Sequence, residues 1–229
     1  MRDTPDAVMM FAAGFGTRMK ALTADRPKPL VEVGGRPLID HALTLVREAG
    51  IGTVVANTHY RADQMAAWLE PRGVRVSQEA PDILETGGGL RHALPLLGEG
   101  PVFTLNTDAI WSGPNPLALL RDAWDPARMD ALLLCIPVER AVGHKGKGDF
   151  LTDAEGRITA RGPGMTYLGA QILRTEGLEE IAEPAFSLNL LWDRMQAQGR
   201  LFALEYPGHW CDVGQPESIP LAEALLTDV

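Results

Sequence analysis

One stretch near the start of the chain does most to limit what it can become. An apolar run, Val8 to Ala12, is followed at once by Ala13-Gly14-Phe15-Gly16-Thr17-Arg18 and, nine residues on, by Pro27-Lys28-Pro29-Leu30. The apolar run reads as a buried strand that ends in a tight glycine turn. Such a turn presents backbone N–H groups from Ala12, Ala13, Gly14, Gly16 and Thr17, and these can cradle phosphate oxygens. Arg18 and Lys28 bring positive charge to the same place. Together these features imply a nucleoside-triphosphate site. A dinucleotide fingerprint would need a third glycine where Met19 stands, and no Gly-Lys-Ser or Gly-Lys-Thr closes a P-loop.

Proline fixes its own backbone and steers the preceding residue away from the helix. Lys28, between two prolines, is therefore expected on a stiff, extended segment. The lysine count supports a role for it. Of 21 basic side chains only Lys20, Lys28, Lys145 and Lys147 are lysines, and they fall in two short segments. A compact ammonium and a planar guanidinium are not interchangeable at a phosphate. Both segments therefore read as phosphate-facing, with Lys20 a bystander. The net charge of −9 removes nucleic acid as a partner, because anion binding has to be local in so acidic a chain.

Along the 229 residues, strand and helix patterns alternate. Helices are expected over Leu38 to Glu48, Ala62 to Leu69, Leu90 to Leu97, Leu117 to Trp124, Leu188 to Gln198 and Glu217 to Leu226. Strands are expected over Thr53 to Asn57, Val74 to Ser77, Val102 to Asn106, Ala131 to Ile136, Tyr167 to Leu173 and Leu201 to Tyr206. This order predicts an α/β fold with one doubly wound, mainly parallel sheet of Rossmann-like type. The glycine-rich stretch from Gly143 to Gly164 breaks the rhythm and predicts a small hairpin or lid. No linker interrupts the chain, so residues 1–229 read as one domain. Its nucleotide half covers about 1–110 and its acceptor half about 111–229. Cys135 and Cys211 are far apart and form no CxxC, which suits free thiols in a reducing cytoplasm. Met1 to Asp6 is polar, unlike a signal peptide, and no apolar run approaches membrane-spanning length.

Ligands of such sheets bind beyond the carboxyl ends of the strands. Asp108 follows the strand Val102 to Asn106, and Asp212 follows Leu201 to Tyr206 through a short loop. Two carboxylates on the rim that carries the glycine turn make a hard oxygen site for Mg²⁺. His59 and Tyr60 also follow a strand end on that rim. Glu85-Thr86-Gly87-Gly88 is expected to bind the base, its glycines letting the backbone approach a flat ring. Tyr167 to Gly169 is expected to line the acceptor pocket, with Gly169 leaving room.

Taken together, Phe11 to Met19 and Pro27 to Val31 closely resemble the nucleotide signature of the sugar-1-phosphate nucleotidyltransferases. Asn106-Thr107-Asp108 resembles the family's metal motif, and Trp210-Cys211-Asp212-Val213-Gly214 with Pro216-Glu217 resembles the motif carrying the second metal carboxylate. Glu85 to Gly89 and His144 to Phe150 are similar to the branch that acts on N-acetylmuramate 1-phosphate in cell-wall recycling. The resemblance implies an enzyme that transfers a nucleotidyl group from an NTP, with UTP favoured, to a sugar 1-phosphate and releases pyrophosphate. Arg18 and Lys28 become its catalytic cations. Lys145, Lys147, Gly148 and Asp149 become acceptor-side residues, with Gly169 beside them, in a monomer or homodimer. Mannose-1-phosphate guanylyl transfer is the runner-up, and a nucleotide-binding regulator is the non-enzyme alternative. Two positions depart from the family pattern: Ala21 replaces a proline, and Thr107 replaces a glycine beside the metal carboxylate.

Overall fold

The structure is a computed structural model, which describes residues 4–227, so the first three residues of the polar opening Met1 to Asp6 lie outside them. The chain starts with β1 (Ala7–Phe11). It passes through 3-10 turns at Thr17–Thr23 and Lys28–Leu30 and a short hairpin, β2 (Glu32–Val33) and β3 (Arg36–Pro37). Then come α1 (Leu38–Glu48), β4 (Thr53–Thr58), α2 (Ala62–Leu69), β5 (Arg75–Gln78), α3 (Glu85–Leu97), β6 (Val102–Asn106), β7 (Ala109–Ser112), α4 (Pro116–Ala123) and β8 (Ala131–Pro137). The last part holds β9 (Ala141–Val142), β10 (Phe150–Thr152), β11 (Ile158–Arg161), β12 (Met165–Leu173), α5 (Asn189–Ala197), β13 (Leu201–Glu205), β14 (His209–Asp212) and α6 (Ile219–Thr227).

β1 lies inside the main sheet, with β4 and β6 parallel on its two sides. Its side chains alternate. Val8 and Met10 pack with Ile39, Leu43, Val46, Met65 and Leu69 of α1 and α2. Ala7 and Met9 pack with Leu90, Ala93 and Leu97 of α3 and with Leu191, Trp192 and Met195 of α5. A strand covered on both faces has no polar side, which is why this segment reads as an unbroken apolar run. The helices end and begin on local signals. Gly50 takes a left-handed φ of 66° just beyond α1. Asn115 caps α4 through the N–H groups of Leu117 and Ala118, with Pro116 at the first helical position.

The sheet is mainly parallel, as expected, but β12 runs antiparallel to both β6 and β8, and β11 runs antiparallel to β10. The predicted hairpin over Gly143 to Gly164 forms as β10–β11. It joins the main sheet through Phe150 opposite Met165 instead of standing over it as a lid. A second, small sheet of β7, β14 and β9 lies outside the sequence expectation, since strands this short leave no periodicity to read. Among the described residues no helix is long and apolar enough to cross a membrane.

Candidate nucleotide and acceptor site

The small sheet decides the geometry of the site. β14 is antiparallel to β7 with Asp212 opposite Ala109, and the N–H of Val213 donates to the Asp108 carbonyl at 2.9 Å. Asp212 therefore ends a strand instead of following β13 through a loop, and its carboxyl group comes next to that of Asp108. Lys28 reaches the same point from the other side. Its Nζ lies 2.6 Å from Asp108 Oδ2, and the residue is only 9% exposed. The stiff extended segment expected around Lys28 is instead a single 3-10 turn, Lys28–Leu30, with extended backbone at Pro27 and Val31 on either side.

Arg18 closes the group. A Cβ on Gly214 would sit 2.9 Å from Asp212 Oδ2 and 3.3 Å from Arg18 Nη1, so the three are neighbours. The Asp212 carboxyl is held above the ordinary aspartate range. Burial contributes most and the Asp108 charge adds to it, while Lys28, Arg18 and His144 pull the other way. Among the described residues no cluster of three or more His, Cys, Asp or Glu side chains suits a metal ion. The donor set is a carboxylate pair. That set fits Mg²⁺, which keeps part of its water shell and shares the rest with phosphate.

The glycine turn meets these groups. Gly14 has open space where a side chain would stand. Gly16 has φ 64°, and a Cβ there would come within 2.8 Å of Lys28 Cβ, so this glycine makes room for the lysine. The pocket above the turn is lined by Ala12, Ala13, Gly14, Lys28, Asp108, Glu85 and Thr86, among others. Thr17 and Arg18 are exposed at the start of the following 3-10 turn. Thr107 does not crowd the carboxylates. Its hydroxyl donates to the Phe11 carbonyl at 2.8 Å and ties the end of β6 to the end of β1. The loop bearing Ala21 is held by Tyr60, Arg61 and Gln64, which donate to the consecutive carbonyls of Thr23, Ala24 and Asp25. His59 bonds the Glu79 carbonyl, so both rim residues named from sequence brace the backbone.

Gly87 and Gly88, expected at the base site, pack against another segment of the chain. They lie in the first turn of α3, and both backbone N–H groups donate to the Phe186 carbonyl. A Cβ on Gly87 would collide with the Phe186 ring, and one on Gly88 would collide with the Pro184 carbonyl. Their missing side chains admit the 184–186 segment, leaving Glu85 and Thr86 to face the pocket. The helix also begins five residues before the expected Leu90, because this packing outweighs the poor helix propensity of three glycines.

The acceptor-side residues are more scattered. Lys145 and Lys147 are exposed, with Lys145 Nζ donating to Gln215 Oε1 at 3.1 Å. Lys20, the expected bystander, lies 3.6 Å from Glu217. Asp149 Oδ2 accepts the Tyr167 N–H at 2.8 Å, and Gly148 (φ 97°) packs on the Gly164 backbone, so both serve the hairpin. Gly169 (φ 83°) makes room for the Asn106 side chain. Burial pushes the Tyr167 phenol well above its usual range, and its ring stands edge-on to Trp192 at 5.0 Å. Asn106, part of the stretch that resembles the metal motif, also lines the pocket, as do Asn57, Glu79 and Ile83, which were not singled out from the sequence. Asn57, Glu79 and Asn106 occupy strand ends on the ligand rim, the signal that picked out Asp108.

Comparison with known proteins matches residues 8–219 to the MobA-like NTP transferase domain. The chain is 40% identical, over the full length of both, to N-acetylmuramate alpha-1-phosphate uridylyltransferase of Caulobacter vibrioides. It is 33% identical to the enzyme of that name from Neisseria meningitidis serogroup B, over 95% of this chain and 96% of the other. In fold it is similar to a putative glucose-1-phosphate thymidylyltransferase from Bacillus anthracis, with a TM-score of 0.81, 17% identity, and coverage of 97% of this chain and 96% of that one.

Proposed function

The chain belongs to the MobA-like NTP transferase family, and we propose that it transfers the uridylyl group of UTP to N-acetylmuramate 1-phosphate in the cytoplasm, for cell-wall recycling. The reaction class follows from the family and from relatives aligned over their whole length. The choice of UTP and of the muramate acceptor follows the names of those relatives. One observation carries the reading. Lys28 Nζ lies 2.6 Å from Asp108, with Asp212 and Arg18 beside them, where the glycine-turn pocket opens.

The acceptor phosphate is ionised at neutral pH, so no general base is needed. An oxygen of the sugar 1-phosphate attacks the α-phosphorus of UTP. The new P–O bond forms as the bond to the β-phosphate oxygen breaks, and pyrophosphate departs in line. The protein has to hold two anions together and stabilise charge at phosphorus. Free N–H groups of the glycine turn and the exposed Arg18 guanidinium bind the β- and γ-phosphates. The Lys28 ammonium, anchored by Asp108, bridges the α-phosphate and the incoming phosphate. Asp108 and Asp212 would hold Mg²⁺, which supplies further positive charge to the triphosphate. Lys145 and Lys147 attract the acceptor from the exposed side. The chain works as one domain, residues 1–229, in a monomer or homodimer.

The test is a grid. UTP, dTTP, GTP and CTP are each paired with the 1-phosphates of N-acetylmuramate, glucose, N-acetylglucosamine and mannose, with Mg²⁺, and released pyrophosphate is measured. Release confined to UTP with N-acetylmuramate 1-phosphate is the expected result. Release only with GTP and mannose 1-phosphate replaces the specificity and keeps the reaction. No release with any pair removes the reaction.

A further inference from the structure

Under the pocket runs a short buried chain of hydrogen bonds that the transfer chemistry does not use. The Ala12 N–H donates to Asn57 Oδ1 at 2.7 Å, and Asn57 Nδ2 donates to Glu79 Oε1 at 2.7 Å. Glu79 Oε2 accepts the Leu84 N–H, again at 2.7 Å. Asn57 is 3% exposed and Glu79 2%. The chain links the residue that follows β1, where the glycine turn begins, to the residue that precedes α3. Ala12 on one side and Ile83, Glu85 and Thr86 on the other line the pocket. Gly89 leaves the space for it, since a Cβ there would collide with Glu79 Oε1 and lie 3.0 Å from Asn57 Nδ2.

We propose that Asn57 and Glu79 are positioning residues that fix the gap between the glycine turn and the start of α3, and through that gap the choice of nucleotide base. The proposal rests on the nucleotide reading of the pocket and adds the element that sets its selectivity. A buried carboxylate with only neutral donors around it is costly to keep, and it persists here because both of its oxygens face N–H groups. Glutamine cannot replace it, since one end of the amide would set N–H against N–H. Asparagine at 57 is equally constrained, as it must accept from Ala12 and donate to Glu79. One exchange satisfies every group again. With Asn57→Asp and Glu79→Gln together, the new carboxylate accepts from Ala12 and from the glutamine amide, and the glutamine oxygen accepts from Leu84.

The experiment measures UTP, CTP and GTP binding by calorimetry, alongside KM, kcat and Tm, for Asn57→Asp, Glu79→Gln, the double variant and Gly89→Ala. Each single variant is expected to weaken UTP binding by about tenfold or more, the size of one lost charge-assisted hydrogen bond, and to narrow the preference for UTP. KM rises more than kcat falls. The double variant returns to within about threefold of wild type, since the inventory of donors and acceptors is complete again. Gly89→Ala pushes on Glu79 without changing a donor, and it narrows the preference in the same way. A double variant as impaired as the two singles combined overturns the proposal, as does a folded Gly89→Ala protein with the wild-type preference. If the singles do not fold, recovery of folding and UTP preference in the double supports the strut, and failure to recover overturns it. Because the primary readout is binding, a wild-type protein that binds UTP but transfers it to no sugar 1-phosphate defeats the proposed function and leaves this inference standing.

Discussion

The two ends of the pocket, which we assign to the phosphates and to the base, are built on opposite principles. At the phosphate end, charge is concentrated at a cost. Lys28 is nearly buried against Asp108, and Asp212 sits where burial and its neighbour both oppose ionisation. At the base end, three glycines of α3 lie against the 184–186 segment and the Asn57–Glu79 pair with no room to spare. One end holds energy in reserve for a ligand, and the other invests in packing. Substitutions should therefore separate, with rate lost at the phosphate end and stability lost at the base end.

The largest effect is expected at the phosphate end. Lys28→Ala and Asp108→Asn should each lower turnover by at least about 100-fold, the usual scale for removing a group that stabilises transition-state charge. Each variant should stay folded at the assay temperature, with Tm lowered only by the cost of leaving one partner of the Lys28–Asp108 pair uncompensated. Pyrophosphate release and a thermal melt on the same preparation test this. Near-normal turnover in either variant removes that residue from the mechanism, and a collapse in Tm with proportionate loss of activity erases the contrast between the two ends.

Next comes the base end. Gly87→Ala places a methyl group against the Phe186 ring, and overpacking of this kind costs about 1–3 kcal/mol. Chemical denaturation should show that loss, while the folded fraction keeps most of its turnover. A variant of unchanged stability with a large rise in KM for UTP would mean that the glycine makes room for the ligand after all.

This contrast also explains what could be read from residues alone. Elements whose apolar pattern follows one period were legible: α1 and α2 occupy the expected Leu38 to Glu48 and Ala62 to Leu69. That Arg18, Lys28, Asp108 and Asp212 stand close together was legible because the first two sit in turns after β1 and the last two at strand ends on the same rim. Glycines carry no such direction. A missing side chain leaves open space at Gly14 but makes room for a lysine at Gly16, a phenylalanine at Gly87 and an asparagine at Gly169, and only packing between distant segments tells these apart. Asn57 and Glu79 escaped for a related reason. Asn57 bonds Ala12 and Glu79 across 45 and 22 residues of chain, and Glu79 takes the Leu84 N–H of the following loop, so no motif spacing announces the pair.

The smallest effect carries the opposite sign and tests the cost at the phosphate end directly. The Asp212 carboxyl binds its proton more tightly in the folded protein than in the unfolded chain, since its pKa is raised from the usual 3.8. Where the folded state binds more protons, stability falls as pH rises through the window between the unfolded and folded values. At neutral pH, ionised Asp212 is therefore a net burden on the fold. Asp212→Asn keeps the size of the side chain and removes that burden, so in chelator-treated, metal-free buffer it should raise Tm at pH 7. The gain should shrink as pH falls through the folded pKa and vanish once the carboxyl is protonated in both states. Activity should be lost in the same variant, setting stability against function at one residue. If Asp212→Asn lowers Tm at neutral pH, the contacts of Asp212 with Lys28 and Arg18 outweigh its burial, and the phosphate end would hold itself together without needing a ligand to relieve it.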